Sequence, residues 1–287
     1  MILSDLAQDY PVAGEKRAAL TQRQTLSALD WLSNFHGFWW SRVENLDHND
    51  LVLPPLEQAK RKIPINTSVW LNGGYTYLAT RQSEYQNLVH DSSSEWSATL
   101  TQPISPHNKS ITELVATFLA PSLSISTKTP TDAYQTLLHG DVKSENLFTS
   151  TAGDRVAFYD FQYVGLGLGV CDLAKFFTCS VPLSMLISLS SSEQEEDEED
   201  LPTVLAMSEG ERVLLETYWR NLRAVGGGRE YEWGVFVRHW EVALVDWLRF
   251  QGGCGFWGNT GWLEGRVRSI LKDEGWREFL GDGNAGV

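Results

Sequence analysis

The sequence predicts an α+β chain, a mainly helical body with one short strand-loop-strand of polar, chemistry-bearing residues near its middle. Three observations predict it. Apolar residues recur at helical spacing in two long stretches, Ala28, Leu32, Phe35 and Trp39, then Trp233, Val237, Trp240, Leu244 and Trp247. Two short apolar runs, Leu137–Leu138 and Val156–Tyr159, each lead into an acid, Asp141 or Asp160, with a polar segment carrying Asn146 and a turn at Thr149–Asp154 between them. The 287 residues, 42% of them hydrophobic, are enough for a sizeable core.

Taken in order, residues 1–6 are apolar and run into turn chemistry around Asp9 to Gly14. Lys16 to Trp40 is predicted as a helix, and His36 beside its apolar face is predicted as a packed core residue. Asp47 to Ser68 is loop with one short helix. Val69 to Leu88 turns helical in its second half, and Asp91 to Ser110 returns to loop. Ile111, Leu114, Val115 and Phe118 predict a short helix up to Ala120.

Beyond the central block, Val164 to Gly169 alternates glycine with apolar residues and reads as a flexible connector. Asp172 precedes an apolar run and reads as a helix N-cap. Ser188 to Asp200 is a low-complexity serine and acid run, predicted as an exposed insertion. Helices are predicted at Ser208–Ala224 and Glu230–Phe250, broken by Gly226-Gly227-Gly228, with a final helix at Trp262–Leu280 and a loose tail. Gly253 to Gly258 matches a phosphate-loop pattern but follows a helix and carries Phe256 and Trp257, so it reads as a tight corner between helices.

Composition excludes several classes. A formal charge of −14 argues against a nucleic-acid backbone as partner, and about half of it lies in one run from Glu193 to Asp200. Cys171, Cys179 and Cys254 are scattered, which gives neither a disulfide framework nor a zinc site and suits a reducing compartment. No apolar run has the length of a membrane span and the start lacks the features of a signal peptide, so a cytoplasmic chain with no membrane partner is the expectation.

The chemistry sits in His139-Gly140-Asp141, Asn146 five residues after that aspartate, and Asp160-Phe161-Gln162. Two carboxylates and an amide suit a divalent cation with oxygen ligands, with one group left to act as a base. The order resembles the catalytic loop and metal-binding motif of protein kinases. The glycine after the histidine makes it more similar to the aminoglycoside phosphotransferase and choline kinase-like superfamily, closest to its ecdysteroid kinase-like group, whose second motif often reads Asp-Phe-Gln. The resemblance runs from about Ile2 to Trp276, with specificity confined to the central motifs.

That resemblance implies a protein-kinase-like fold, mainly the helical C-terminal lobe. Residues 1–15 would be the end of an N-terminal lobe and its hinge, 16–187 the C-terminal lobe with the catalytic core, 188–203 the acidic insertion, 204–280 further helices of that lobe and 281–287 the tail. It also implies ATP- and Mg²⁺-dependent transfer of a phosphoryl group to a hydroxyl of a small molecule. Asp141 would be the base, Asn146 and Asp160 the metal ligands, His139 and Asp172 the scaffold of the loop, and Lys143 a phosphate contact. The glycine-rich strands and nucleotide-binding lysine of the N-terminal lobe are not found in the sequence. A catalytically inactive kinase-like binding protein, or a fragment lacking the nucleotide-binding lobe, therefore stands as the alternative. A metal-dependent phosphohydrolase ranks third, because it would want more carboxylates and histidines near Asp160. The Trp-rich 219–262 region is the expected acceptor wall, more suited to an apolar alcohol than to an aminoglycoside.

Overall fold

A computed structural model describes residues 5–47, 50–53, 69–104, 108–121, 129, 131–188 and 201–282. The expected hinge residues 2–4, most of the stretch 47–68 in which one short helix was expected, and the acidic run 189–200 lie outside the described residues. Strand β1 (Val12–Ala13) leads into helix α1 (Gln22–Trp40). The helix starts later than Lys16 because Arg17 takes a left-handed φ of 60° and Thr21 closes a capping box with Gln24. Its deepest stripe is Ala28, Leu29, Leu32, His36 and Trp40, while Phe35 and Trp39 pack half-buried beside it.

Helices α2 (Gln82–His90) and α3 (Glu95–Thr101) follow, then a two-stranded pair, β2 (Pro103–Ile104) with β3 (Lys109–Ser110). The stretch from Asp91 to Ser110 is thus not all loop. Ser94 caps α3, and Ser110 forms a capping box with Glu113 that starts helix α4 (Ile111–Leu119).

The central block forms β4 (Gln135–Leu138), β5 (Leu147–Thr149), β6 (Val156–Phe158) and β7 (Gly165–Leu168). Two small antiparallel sheets result, one in the order β1-β5-β6 and one of β4 with β7. The glycine-alternating segment is therefore no flexible connector. It is a buried strand in which Leu166 and Leu168 enter the core, and Gly165 leaves room for the backbone of Trp70.

Helix α5 (Val170–Cys179) follows β7 directly, then α6 (Leu183–Ile187), α7 (Glu209–Val225), α8 (Trp233–Cys254), α9 (Thr260–Lys272) and α10 (Glu274–Asp282). The expected single final helix is two. Asp273 takes an extended conformation, and its side chain accepts from the Gly275 amide to start the second. The last of these helices reaches two residues into the expected tail.

One core joins α1, α4, α5, α7, α8 and α9 through fully buried Trp40, Phe176, Phe177, Trp240 and Trp262. Helix α1 packs on α7 and β4, and α8 packs on α2 and α5. The corner between α8 and α9 is fastened to the end of α5 by Asn259, whose amide donates to the carbonyls of Phe177 and Val181. The fold is α+β and dominated by helices, with the small sheets holding the polar loop against α1 and α5. No described helix is long and apolar enough to cross a membrane.

Candidate active site

The loop after β4 turns at Gly140, whose φ of 85° is left-handed and whose Cβ, if present, would lie 2.5 Å from the Tyr163 carbonyl oxygen. Asp172 holds this turn from below. Its Oδ2 accepts from the His139 amide at 2.7 Å and its Oδ1 from the Gly140 amide at 2.9 Å. The same carboxylate meets Nε2 of His36 at 3.1 Å, and Nδ1 of His36 meets the Tyr218 hydroxyl at 2.8 Å. Helix α5 begins three residues earlier than the sequence suggested, with Gly169 at the cap, so Asp172 is not the N-cap but a carboxylate aimed at the loop. The sequence reading of His36 as core holds, with this second task added.

His139 is fully buried, and its two nitrogens have opposite roles. Nδ1 accepts from the Asp141 amide at 3.3 Å, and Nε2 donates to the Tyr159 carbonyl at 2.8 Å. Those partners fix a neutral ring with its proton on Nε2. Burial pushes its pKa down, which keeps it neutral. The ring also packs on Phe161 and Phe158, with centroids 4.7 and 5.5 Å away.

Tyr159 ties the two halves of the motif together through its backbone. Its carbonyl takes the His139 bond, and its amide donates to the Asn146 carbonyl at 3.0 Å. Asn146 and Asp160 are thereby neighbours in space although the turn separates them in sequence. The Asn146 amide donates twice, to the backbone carbonyl and to Oδ2 of Asp141, both at 2.8 Å. Its Oδ1 is left without a protein donor among the described residues. Asp160 takes a left-handed φ of 64° and exposes its carboxylate, whose only hydrogen bond among the described residues is from the Gln162 amide at 3.2 Å. An amide oxygen and an exposed carboxylate are the hard oxygen donors that a magnesium-type cation takes. Two protein ligands suit Mg²⁺, which usually completes its shell with phosphate oxygens and waters. Among the described residues no group of three or more His, Cys, Asp or Glu could hold a metal.

Asp141 is almost fully buried and ion-paired twice. The Lys175 ammonium contacts Oδ1, and Lys143 lies 3.4 Å from Oδ2. Burial alone would raise the carboxyl pKa. Lys175, Lys143 and the Asn146 amide outweigh it and hold the group below the usual range, as a carboxylate. Lys175 is buried too, and burial pushes its pKa down against the pull of Asp141. Lys143 is shared with Glu145 at 2.7 Å. Burial lowers its pKa, but Glu145 and Asp141 raise it above the ordinary lysine value.

A family model described as the ecdysteroid kinase-like family matches residues 1–191, a span that contains every one of these loop residues. The chain belongs to the ecdysteroid kinase-like family. That is a family of kinase-like phosphotransferases. No curated protein matches the sequence.

In this ecdysteroid kinase-like chain, the residues singled out from sequence converge on one loop. Asp141, Asn146, Asp160, His139, Asp172 and Lys143 are connected by the contacts above. Sequence reasoning missed Lys175 and the Tyr75 ring 4.6 Å from its ammonium, and it read Trp247, 5.6 Å from the same ammonium, as part of a core stripe and of the acceptor wall. A signal existed. Lys175 interrupts the apolar run Leu173-Ala174-Phe176-Phe177 three residues after Asp172, on the same side of the helix as that carboxylate. Of the expected tryptophan wall, Trp240, Trp247 and Trp262 are buried core, and Trp247 also lies over the Lys175 ammonium.

Proposed function

We propose that this chain is an ATP- and Mg²⁺-dependent phosphotransferase acting on a hydroxyl of a small molecule. The observation that supports this best is the double role of Asn146. Its amide nitrogen orients Asp141, which leaves its amide oxygen free of a protein donor among the described residues, and its backbone carbonyl is bonded to Tyr159, next to Asp160. One residue thus links a base to a pair of metal ligands. Asn146 and Asp160 would hold the magnesium of Mg·ATP, which when bound would supply the phosphoryl group and the charge neutralisation on which this chemistry depends.

Asp141 takes the proton of the acceptor hydroxyl, and its ionised state means it needs no prior deprotonation. Lys175 and Lys143 position that carboxylate and lower its basicity, so it acts chiefly by orienting the hydroxyl. His139, neutral and buried, keeps the loop backbone in shape. Asp172 does the same from α5.

One observation favours a second reading, a kinase-like binding protein without turnover. Both oxygens of Asp141 already carry a cation of this chain. Calorimetric titration of Mg·ATP into the wild type and into Asp160→Asn, run beside an assay of nucleotide turnover, separates the two, because only the enzyme consumes the nucleotide it binds. Saturable, magnesium-dependent binding that weakens in the variant is expected. A folded wild type that binds no nucleotide would overturn the enzyme.

A further inference from the structure

We infer that the cleft between α7, α8 and α9 is a second binding site, built for a small organic carboxylate with an apolar body. The inference stands apart from the phosphotransferase reading. The cleft holds about 480 Å³ and opens to solvent. Arg212 of α7, Trp233 and Glu241 of α8, Arg266 and Ile270 of α9, and Asp273 just after α9 border it. That volume lies in the range of pockets that take small ligands. From Val237 on its wall to Trp247 beside Lys175, α8 runs ten residues, about 15 Å, so the cleft lies away from the loop of Asp141.

The charges around the cleft are unequally spent. Both carboxylates are taken by one guanidinium. Nη1 of Arg238 donates to Glu241 at 2.9 Å and to Asp273 at 2.5 Å, and the Gly275 amide adds a bond to Asp273 at 2.9 Å. The arginines keep donors in reserve. Arg266 is buried, with Nε on both oxygens of Glu211 and Nη1 on the Leu205 carbonyl at 3.0 Å. Its remaining corner, Nη2, has no partner among the described residues. A buried donor left without an acceptor loses its bond to water and gains nothing in return. Arg212 is exposed and makes no ion pair among the described residues.

The unspent groups are thus guanidinium donors, and their fork matches the two oxygens of a carboxylate. A carboxylate oxygen in the cleft gives Nη2 of Arg266 the acceptor that the fold withholds, and Arg212 neutralises the charge. A phosphate dianion matches less well. It would set a second negative charge beside Glu241 and Asp273 with no further free cation to balance it. Much of the remaining wall is apolar, Trp233, Val237 and Ile270 among it. Trp233 is held against Phe236, the rings 5.5 Å apart and 24° from parallel, so a firm aromatic surface awaits the body of the ligand.

3-Phenylpropanoate and 3-phenylpropanamide test this, because they share a body and differ in the charge of the head. Each is titrated calorimetrically into the full chain without nucleotide, at constant ionic strength, with 3-phenylpropylamine as the cationic member. The wild type is expected to bind the carboxylate at least about tenfold more tightly than the amide or the amine. In Arg212→Gln, a change at an exposed position, that preference is expected to be lost. Arg266 cannot be removed alone, because Glu211 would stay buried without its partner. Glu211→Met combined with Arg266→Met is therefore the second variant, and it too is expected to lose the preference. A wild type that binds the amide or the amine as tightly as the carboxylate overturns the inference, as does either folded variant with an unchanged ratio. No saturable binding of 3-phenylpropanoate, or its displacement by an equal concentration of inorganic phosphate, overturns it as well. The nucleotide titration is separate, so its failure would count against the kinase and not against this cleft.

Discussion

The Asp172 carboxylate reaches across 33 residues of chain to accept the His139 amide at 2.7 Å, while its other oxygen takes Gly140. A helix side chain thus sets the backbone of the loop that carries Asp141. Replacing Asp172 by Ala leaves two buried amides and the His36 ring without an acceptor. The expected loss is about 3–5 kcal/mol, measured by urea denaturation, against about 1–2 kcal/mol for Asp172→Asn, which keeps one oxygen. Equal losses for the two variants would mean that the bonds to the loop contribute little.

Asp141→Asn removes the proposed base and strands the Lys175 ammonium in the interior. Turnover is expected to fall by about two to four orders of magnitude with Mg·ATP affinity nearly unchanged. Steady-state kinetics beside nucleotide titration checks this. Activity within a few-fold of wild type would remove Asp141 from the chemistry.

The Arg266–Glu211 pair makes a separate test of the core. Glu211 is fully buried, accepts from Arg266 at 2.8 Å and from the Trp240 indole at 2.8 Å, and has its pKa raised by burial against the pull of Arg266. Glu211→Ala is expected to cost about 3–5 kcal/mol by leaving Arg266 buried and unpaired. Glu211→Met with Arg266→Met should recover most of that loss, as read by denaturation midpoints.

His239 gives the fold an acid sensitivity. On α8, burial against Phe118 of α4 and Tyr231 pushes its pKa down to about 3, so the folded state resists its protonation. A group with a depressed folded pKa contributes stability above its unfolded value that is lost as pH falls. From pH 6.5 to 5 the loss from His239 alone should be about 2 kcal/mol, and the lowered pKa of His139 acts in the same direction. Denaturation midpoints against pH in wild type and His239→Gln test it, the variant having the flatter profile.

Much of the candidate site was legible because its spacing is local. Asp141, Asn146 and Asp160 lie on one strand-loop-strand, and their order alone places them together. Helices α1, α4, α7 and α8 were legible from period and caps. Strand β7 was not, because glycines that admit a neighbouring backbone look in sequence like glycines that confer freedom. Nor was Lys175. Its role depends on Tyr75, one hundred residues earlier, and Trp247, well over a full domain element later, which only packing brings together. The break at Asp273 was hidden because aspartate is tolerated within a helix and stops it only when its side chain caps the next.

Tyr75 owes its position over Lys175 to a contact made entirely of backbone. Its amide donates to the Gly140 carbonyl, and just before it Gly73 lies so close to Gly165 that a Cβ on Gly73 would be 2.6 Å from the strand. Two hydrogens set the ceiling height over the Lys175 ammonium. A methyl group at either glycine would work as a shim, lifting the aromatic roof from the ammonium while leaving every charged residue of the site untouched.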